Sequence, residues 1–158
     1  MKSPCTDLTE YKPKIIILSS GGPKGLYLLG GLYYYWQQGC LDEADTFVGS
    51  SVGAIILALY ASGMSLTEIL FEALEMTLFN SMEDINIASI HREYGVIPNS
   101  RFEDAMSMKL IDMLVKHLGK VPTLKEFYEL TGKRMVYCVV SLKEEREYYF
   151  DHLSLIHI

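Results

Sequence analysis

Phe47-Val48-Gly49-Ser50-Ser51-Val52-Gly53-Ala54 reads G-x-S-x-G, with Ser51 at its centre. Thr46-Phe47-Val48 ahead of it is a short β-prone run, and Ala54 to Tyr60 behind it is apolar over the length of a helix. Strand, tight turn and helix in that order spell a nucleophile elbow, where a serine on a strained turn presents its hydroxyl at a helix N-terminus. Gly49 and Gly53 fit because a side chain there would clash where strand and helix pack closely. The dipole of the Val52–Ala61 helix would favour negative charge developing at Ser51. Serine is equally a good N-cap, so the same residue also reads as a simple helix cap.

Upstream lies a second glycine turn. Lys14-Ile15-Ile16-Ile17-Leu18-Ser19 is a continuous β-branched run, the pattern of a buried parallel strand, and it leads into Ser20-Gly21-Gly22-Pro23-Lys24-Gly25. Helix-length apolar sequence follows, from Leu26 to Trp36, with its aromatics expected in the core. Gly30-Gly31 inside it lowers helix propensity, so a close approach to the helix after Ser51 is expected. In a parallel sheet both glycine turns emerge at the carboxyl ends of strands, where ligands bind. Glycines there expose backbone N–H groups and let a substrate carbonyl come close, so the two turns can face one reacting carbon. Lys24 reads as an ordinary surface lysine or as a group steering an anionic head group. Neither G-x-x-x-x-G-K-[ST] nor G-x-G-x-x-G is present, which argues against a nucleotide site.

Downstream, Gly63 ends the elbow helix, and Ser65-Leu66-Thr67-Glu68 is a capping box opening a helix to about Leu78. Residues 80–100 lack periodicity and read as a connection or a channel wall. Phe102, Ala105, Met106, Leu110, Ile111, Leu114 and Leu118 mark an amphipathic helix closed by Gly119. Thr123-Leu124-Lys125-Glu126 is a second capping box, for a helix ending at Gly132. Residues 134–141 read as another buried strand, and Glu147-Tyr148-Tyr149-Phe150 as the return arm of a hairpin. The order β-α-β-α-α-α-α-β-β fits a layered α/β domain.

With 158 residues, 49% hydrophobic and 22% charged, the chain is one globular domain at most. Its net charge of −6, with no Lys/Arg cluster longer than Lys133-Arg134, disfavours nucleic acid as a partner. Three scattered cysteines (Cys5, Cys40, Cys138) fit a reducing compartment rather than a disulfide framework or zinc site. No signal peptide or membrane span is visible, so a cytoplasmic location is expected, compatible with peripheral contact at membranes. His91, His117, His152 and His157 show no metal spacing, and no metal is expected.

Acyl transfer by serine needs a nucleophile, a base and donors for the oxyanion. Leu18 to Gly25 followed by Gly49-Ser50-Ser51-Val52-Gly53 resembles the patatin-like phospholipase family, which joins a G-G-G-x-[RK]-G loop after its first strand to a G-x-S-x-G elbow after its second. The likeness runs on as far as Phe150 and includes residues 124–133. It implies a three-layer α/β sandwich with a mainly parallel central sheet, Ser51 as nucleophile, Gly21 and Gly22 as oxyanion donors, and Gly25, Gly49 and Gly53 as motif glycines. It further implies hydrolysis of phospholipid or other acyl-lipid esters without a cofactor. Ser20 stands where the family has its first glycine.

The family's base is an aspartate in a D-G-[GA] motif, and no Asp-Gly pair occurs here. Asp84, Asp104, Asp112 and Asp151 have no comparable context. Losing such a base costs roughly 10⁴-fold or more in turnover, so this chain alone is expected to be nearly inactive. Residues 153–158 match the in-frame translation of a transposase mosaic-end adapter. The expected organisation is therefore an extension over 1–13, a partial acyl hydrolase domain over 14–152 truncated at its C-terminal side, and a non-native tail over 153–158. The alternative is a lipid-binding pseudoenzyme or regulatory domain that kept the fold and lost the base. A Ser-His-Asp α/β-hydrolase fits less well, because several strands normally precede its elbow.

Overall fold

A computed structural model of the chain describes residues 10–75 and 99–154. Its elements are β1 (Ile15–Leu18), a 3-10 turn (Gly22–Lys24), α1 (Gly25–Gln37), β2 (Thr46–Gly49), α2 (Val52–Ala61), α3 (Leu66–Glu75), α4 (Asn99–Leu118), α5 (Leu124–Thr131), β3 (Arg134–Ser141) and β4 (Arg146–Phe150). The chain is an α/β protein with one mainly parallel sheet of order β1-β2-β3-β4. β1, β2 and β3 run parallel, and β4 returns antiparallel to β3. That hairpin is the one expected around Lys143–Arg146.

Local signals end the helices where the sequence places them. At α3 the Glu68 amide donates to Ser65 Oγ (3.2 Å) and the Ser65 amide donates to Glu68 Oε2 (3.0 Å). At α5 the Glu126 amide donates to Thr123 Oγ1 (3.2 Å) and the Thr123 amide to Glu126 Oε2 (2.7 Å). Each pair satisfies two N–H groups that a helix start leaves orphaned. Gly132 then closes α5 in the left-handed region at φ 69°, where a Cβ would be strained.

The core lies on one face of the sheet. Ile16, Phe47 and Met135 sit side by side across β1, β2 and β3, and Leu18, Gly49, Tyr137 and Phe150 form the next row. Phe47 is 0% exposed and belongs to one buried cluster with Leu57 of α2, Leu114 of α4 and Phe127 of α5. The opposite face carries Ile15, Ile17, Val140 and Tyr149, all exposed. Both crossovers, β1 to β2 and β2 to β3, step the same way across the sheet. Right-handed connections then put the described helices on the same side. The described residues thus supply two of the expected three layers.

This corrects several expectations. The run at β1 is not buried on both sides: Ile17 is 69% exposed, and only Ile16 and Leu18 face the core. The far end of β3 is likewise exposed at Val139 and Val140. Most aromatics of α1 are not core residues: Tyr27 is 81% exposed and Tyr34, Tyr35 and Trp36 are exposed as well, while Tyr33 packs against the core. Gly30 and Gly31 are exposed with nothing within 4 Å of an added Cβ, so they do not meet the elbow helix. On α4, Ile111 turns outward and Met113 inward. The expectations for residues 1–9, 76–98 (Asp84 and His91 among them) and 155–158 (His157 among them) lie outside the described residues.

Candidate active site

Ser51 caps the start of α2 in position only. Its backbone sits at φ 52°, ψ −130°, an uncommon conformation for a residue with a side chain, and its hydroxyl makes no cap hydrogen bond. The carbonyl of Ser51 accepts from the amides of Ala54 (2.9 Å) and Ile55 (3.2 Å), which begins the helix while the side chain points into solvent. Reading Ser51 as a simple cap therefore has no hydrogen bond behind it. Strain with an exposed hydroxyl is what an elbow produces.

The glycines on either side are set by close packing. A Cβ on Gly49 would run into Ala54, 2.7 Å from its nitrogen. On Gly53 it would stand 2.5 Å from the carbonyl oxygens of both Leu18 and Ser19. The Ser50 amide donates to the Leu18 carbonyl at 3.3 Å. The elbow after β2 is thus bound to the end of β1, where the second glycine turn begins.

That turn folds tightly. The Lys24 amide donates to the Gly21 carbonyl (3.0 Å) and the Gly25 amide to the Gly22 carbonyl, with Gly22 at φ 49°. Among the described residues, the amides of Gly21 and Gly22 donate no hydrogen bond within the chain. Free N–H groups on a glycine turn are suited to donate to a developing oxyanion. Gly25 opens α1 and touches Val52: a Cβ there would be 2.5 Å from Val52 Cγ2. The two turns, the two helix starts and Ser51 therefore share one end of the sheet. Lys24 is exposed beside them, and none of the ion pairs among the described residues uses it.

Asp42, Asp45 and Asp151 do not join this end. Asp151 is bound by the Arg134 guanidinium and by the Leu153 amide (2.9 Å). The hydrogen bond from Arg134 holds its carboxyl below the usual carboxylate range. Arg134 pairs with Thr46 at the amino end of the parallel strands, opposite Gly49, so Asp151 lies away from the elbow. Asp42 is paired with Lys12 (3.0 Å), Asp45 accepts from its neighbour Thr46 (2.8 Å), and Asp112 is exposed on α4. His152 stacks on Tyr128 at 4.7 Å, and His117 Nε2 is buried without a hydrogen-bond partner among the described residues.

Two residues near the elbow escaped the sequence reading. Val52 is the variable position after the serine and has no signal of its own. Tyr137 pairs with Gly49, and its hydroxyl is buried with no partner among the described residues; burial pushes the phenol well above its ordinary value. Only the strand register brings it there.

A family model described as patatin-like phospholipase matches residues 16–145. A "probable lipid hydrolase" of Invertebrate iridescent virus 6 is 27% identical over 143 residues, covering 88% of this chain and 47% of the viral protein. The chain thus spans about half the length of that curated relative. Among solved structures, the type III effector protein ExoU is similar at a TM-score of 0.53 and 15% identity, over 88% of this chain and 35% of the effector. VipD from Legionella pneumophila is similar at 0.53 and 15%, over 90% and 40% respectively. At that identity the two structures show the fold alone. Among the described residues no helix is long and apolar enough to cross a membrane.

Proposed function

Because the chain belongs to the patatin-like phospholipase family, we propose that it carries the nucleophile and oxyanion half of a serine acyl hydrolase acting on phospholipids or other acyl lipids. The observation that carries this reading is Ser51 itself, an exposed serine at φ 52° between two glycines that packing makes obligatory. In the reaction, Ser51 Oγ attacks the ester carbonyl while an aspartate takes its proton. The carbonyl oxygen becomes an oxyanion held by the Gly21 and Gly22 amides. Collapse breaks the bond to the alcohol, which leaves with the proton, and the acyl group stays on Ser51. Water then attacks the acyl-enzyme as the aspartate takes its proton, and the bond to Ser51 Oγ breaks with that proton returned to the serine, so that the fatty acid departs. No cofactor or metal enters this scheme.

The base is assigned to residues outside those described, because Asp42, Asp45 and Asp151 are held elsewhere and no Asp-Gly pair occurs in the sequence. In this reading residues 14–152 are part of a larger domain, residues 153–158 are a foreign tail, and the protein works in the cytoplasm on lipid at a membrane surface. Lys24, exposed beside the turn, would steer an anionic head group. The same missing carboxylate favours a second reading, a lipid-binding domain without turnover. Ester hydrolysis by the full-length protein separates them. The enzyme reading expects fatty-acid release from phospholipid vesicles that Ser51→Ala abolishes. Hydrolysis unchanged in Ser51→Ala, or absent from the natural protein while it still binds the vesicles, would overturn it.

A further inference from the structure

We propose that Val52 is a positioning residue which, by filling the space over Gly25, sets the distance between the oxyanion turn and Ser51. The inference rests on the acyl hydrolase reading above. Val52 is the first residue of α2 and follows the serine directly, while Gly25 is the first residue of α1 and follows the glycine turn. Gly25 is buried and its backbone is ordinary helix, φ −53°, so nothing in its conformation requires glycine. The requirement is steric. A Cβ at Gly25 would meet three atoms of one side chain, Val52 Cγ2 at 2.5 Å, Cγ1 at 3.3 Å and Cβ at 3.5 Å.

Val52 cannot swing aside cheaply, because a β-branched residue in a helix has one strongly preferred rotamer. It cannot slide with its helix either, since the next residue, Gly53, lies against the Leu18 and Ser19 carbonyls. Pressure at this contact therefore falls on α1. The Gly25 amide is bonded to the Gly22 carbonyl, so α1 and the donor turn move together. A displaced turn leaves the serine intact while shifting its oxyanion donors. A misplacement of about 1 Å costs on the order of 10²-fold in rate.

The test is a size-swap cycle in the full-length protein, with p-nitrophenyl butyrate hydrolysis, fluorophosphonate labelling and thermal unfolding measured for each variant. Gly25→Ala is expected to lower kcat by about 10²-fold with KM nearly unchanged, and labelling should slow in parallel. Adding Val52→Ala removes both methyl groups from the clash and should recover most of that loss, because residues in contact do not act additively. A double variant no faster than folded Gly25→Ala would overturn the proposal. Should Gly25→Ala not fold, Val52→Ala alone decides: the proposal expects a lower kcat at nearly constant melting temperature, and an unchanged kcat overturns it. Labelling of the natural protein at a residue other than Ser51 would instead overturn the acyl hydrolase reading on which the pair depends.

Discussion

The α-carbon of Gly53 lies against the carbonyl of Leu18, so close that a Cβ there would stand 2.5 Å from the oxygen. A backbone carbonyl in a strand cannot rotate away as the end of a long side chain can. Gly53→Ala must therefore push α2 off β1, and overpacking of this kind costs about 1–3 kcal/mol. Denaturant unfolding should show a lower midpoint with an unchanged slope. Gly30→Ala is the control, because nothing lies within 4 Å of an added Cβ there and its helix gains propensity. That variant should be as stable as the natural chain or more so.

Asp151 supports the sheet and takes no part in the proposed chemistry. Its bond from Arg134 depresses its pKa, so the stabilisation is present above the ordinary carboxylate value and disappears as pH falls through the depressed one. Asp151→Asn should lower the melting temperature at neutral pH and lose that effect in acid. Fluorophosphonate labelling of Ser51 should not change. Loss of labelling in a folded Asp151→Asn variant would make Asp151 the base.

The α5 capping box sets a second acid-sensitive contact. Hydrogen bonding from Lys120, then from the amide and hydroxyl of Thr123, lowers the Glu126 pKa to about 2. A depressed carboxylate contributes above its unfolded value and loses that contribution as pH falls towards about 2. Glu126→Gln should therefore destabilise at neutral pH and match the natural chain in strong acid. Thr123→Ala removes the N-cap and should cost about 1 kcal/mol at neutral pH. Urea titrations at several pH values would check both.

The exposed sheet face makes a prediction about surface chemistry. Ile15, Ile17, Val140 and Tyr149 are exposed on this face. Exposed apolar side chains on a sheet face bind hydrophobic dyes and promote association. This chain should bind ANS in its folded state, and Ile17→Lys with Val140→Lys should reduce that binding at no cost in stability. Unchanged ANS fluorescence in the folded double variant would contradict this.

What the sequence made legible was local. The motifs at Ser51, Ser65 and Thr123 announce turns and helix starts within four residues, and the strained φ of 52° at Ser51 and the two capping boxes sit where those motifs fall. What it hid was sidedness. Three consecutive isoleucines carry no alternation to say which face is covered, and the answer depends on strand order and crossover direction across the whole sheet. Gly30-Gly31 misled for the same reason: a glycine pair signals room for a neighbour without saying that the neighbour is α2. The contact that α1 does make with the elbow, Gly25 on Val52, is a size match between two residues far apart in sequence.

The most direct test of the account is peptide mapping of the full-length protein after reaction with a fluorophosphonate. The account predicts a single adduct on Ser51, absent from Ser51→Ala and slowed when the Gly21–Gly22 turn is displaced. An adduct on another serine, or none in a protein that hydrolyses lipid esters, would contradict it.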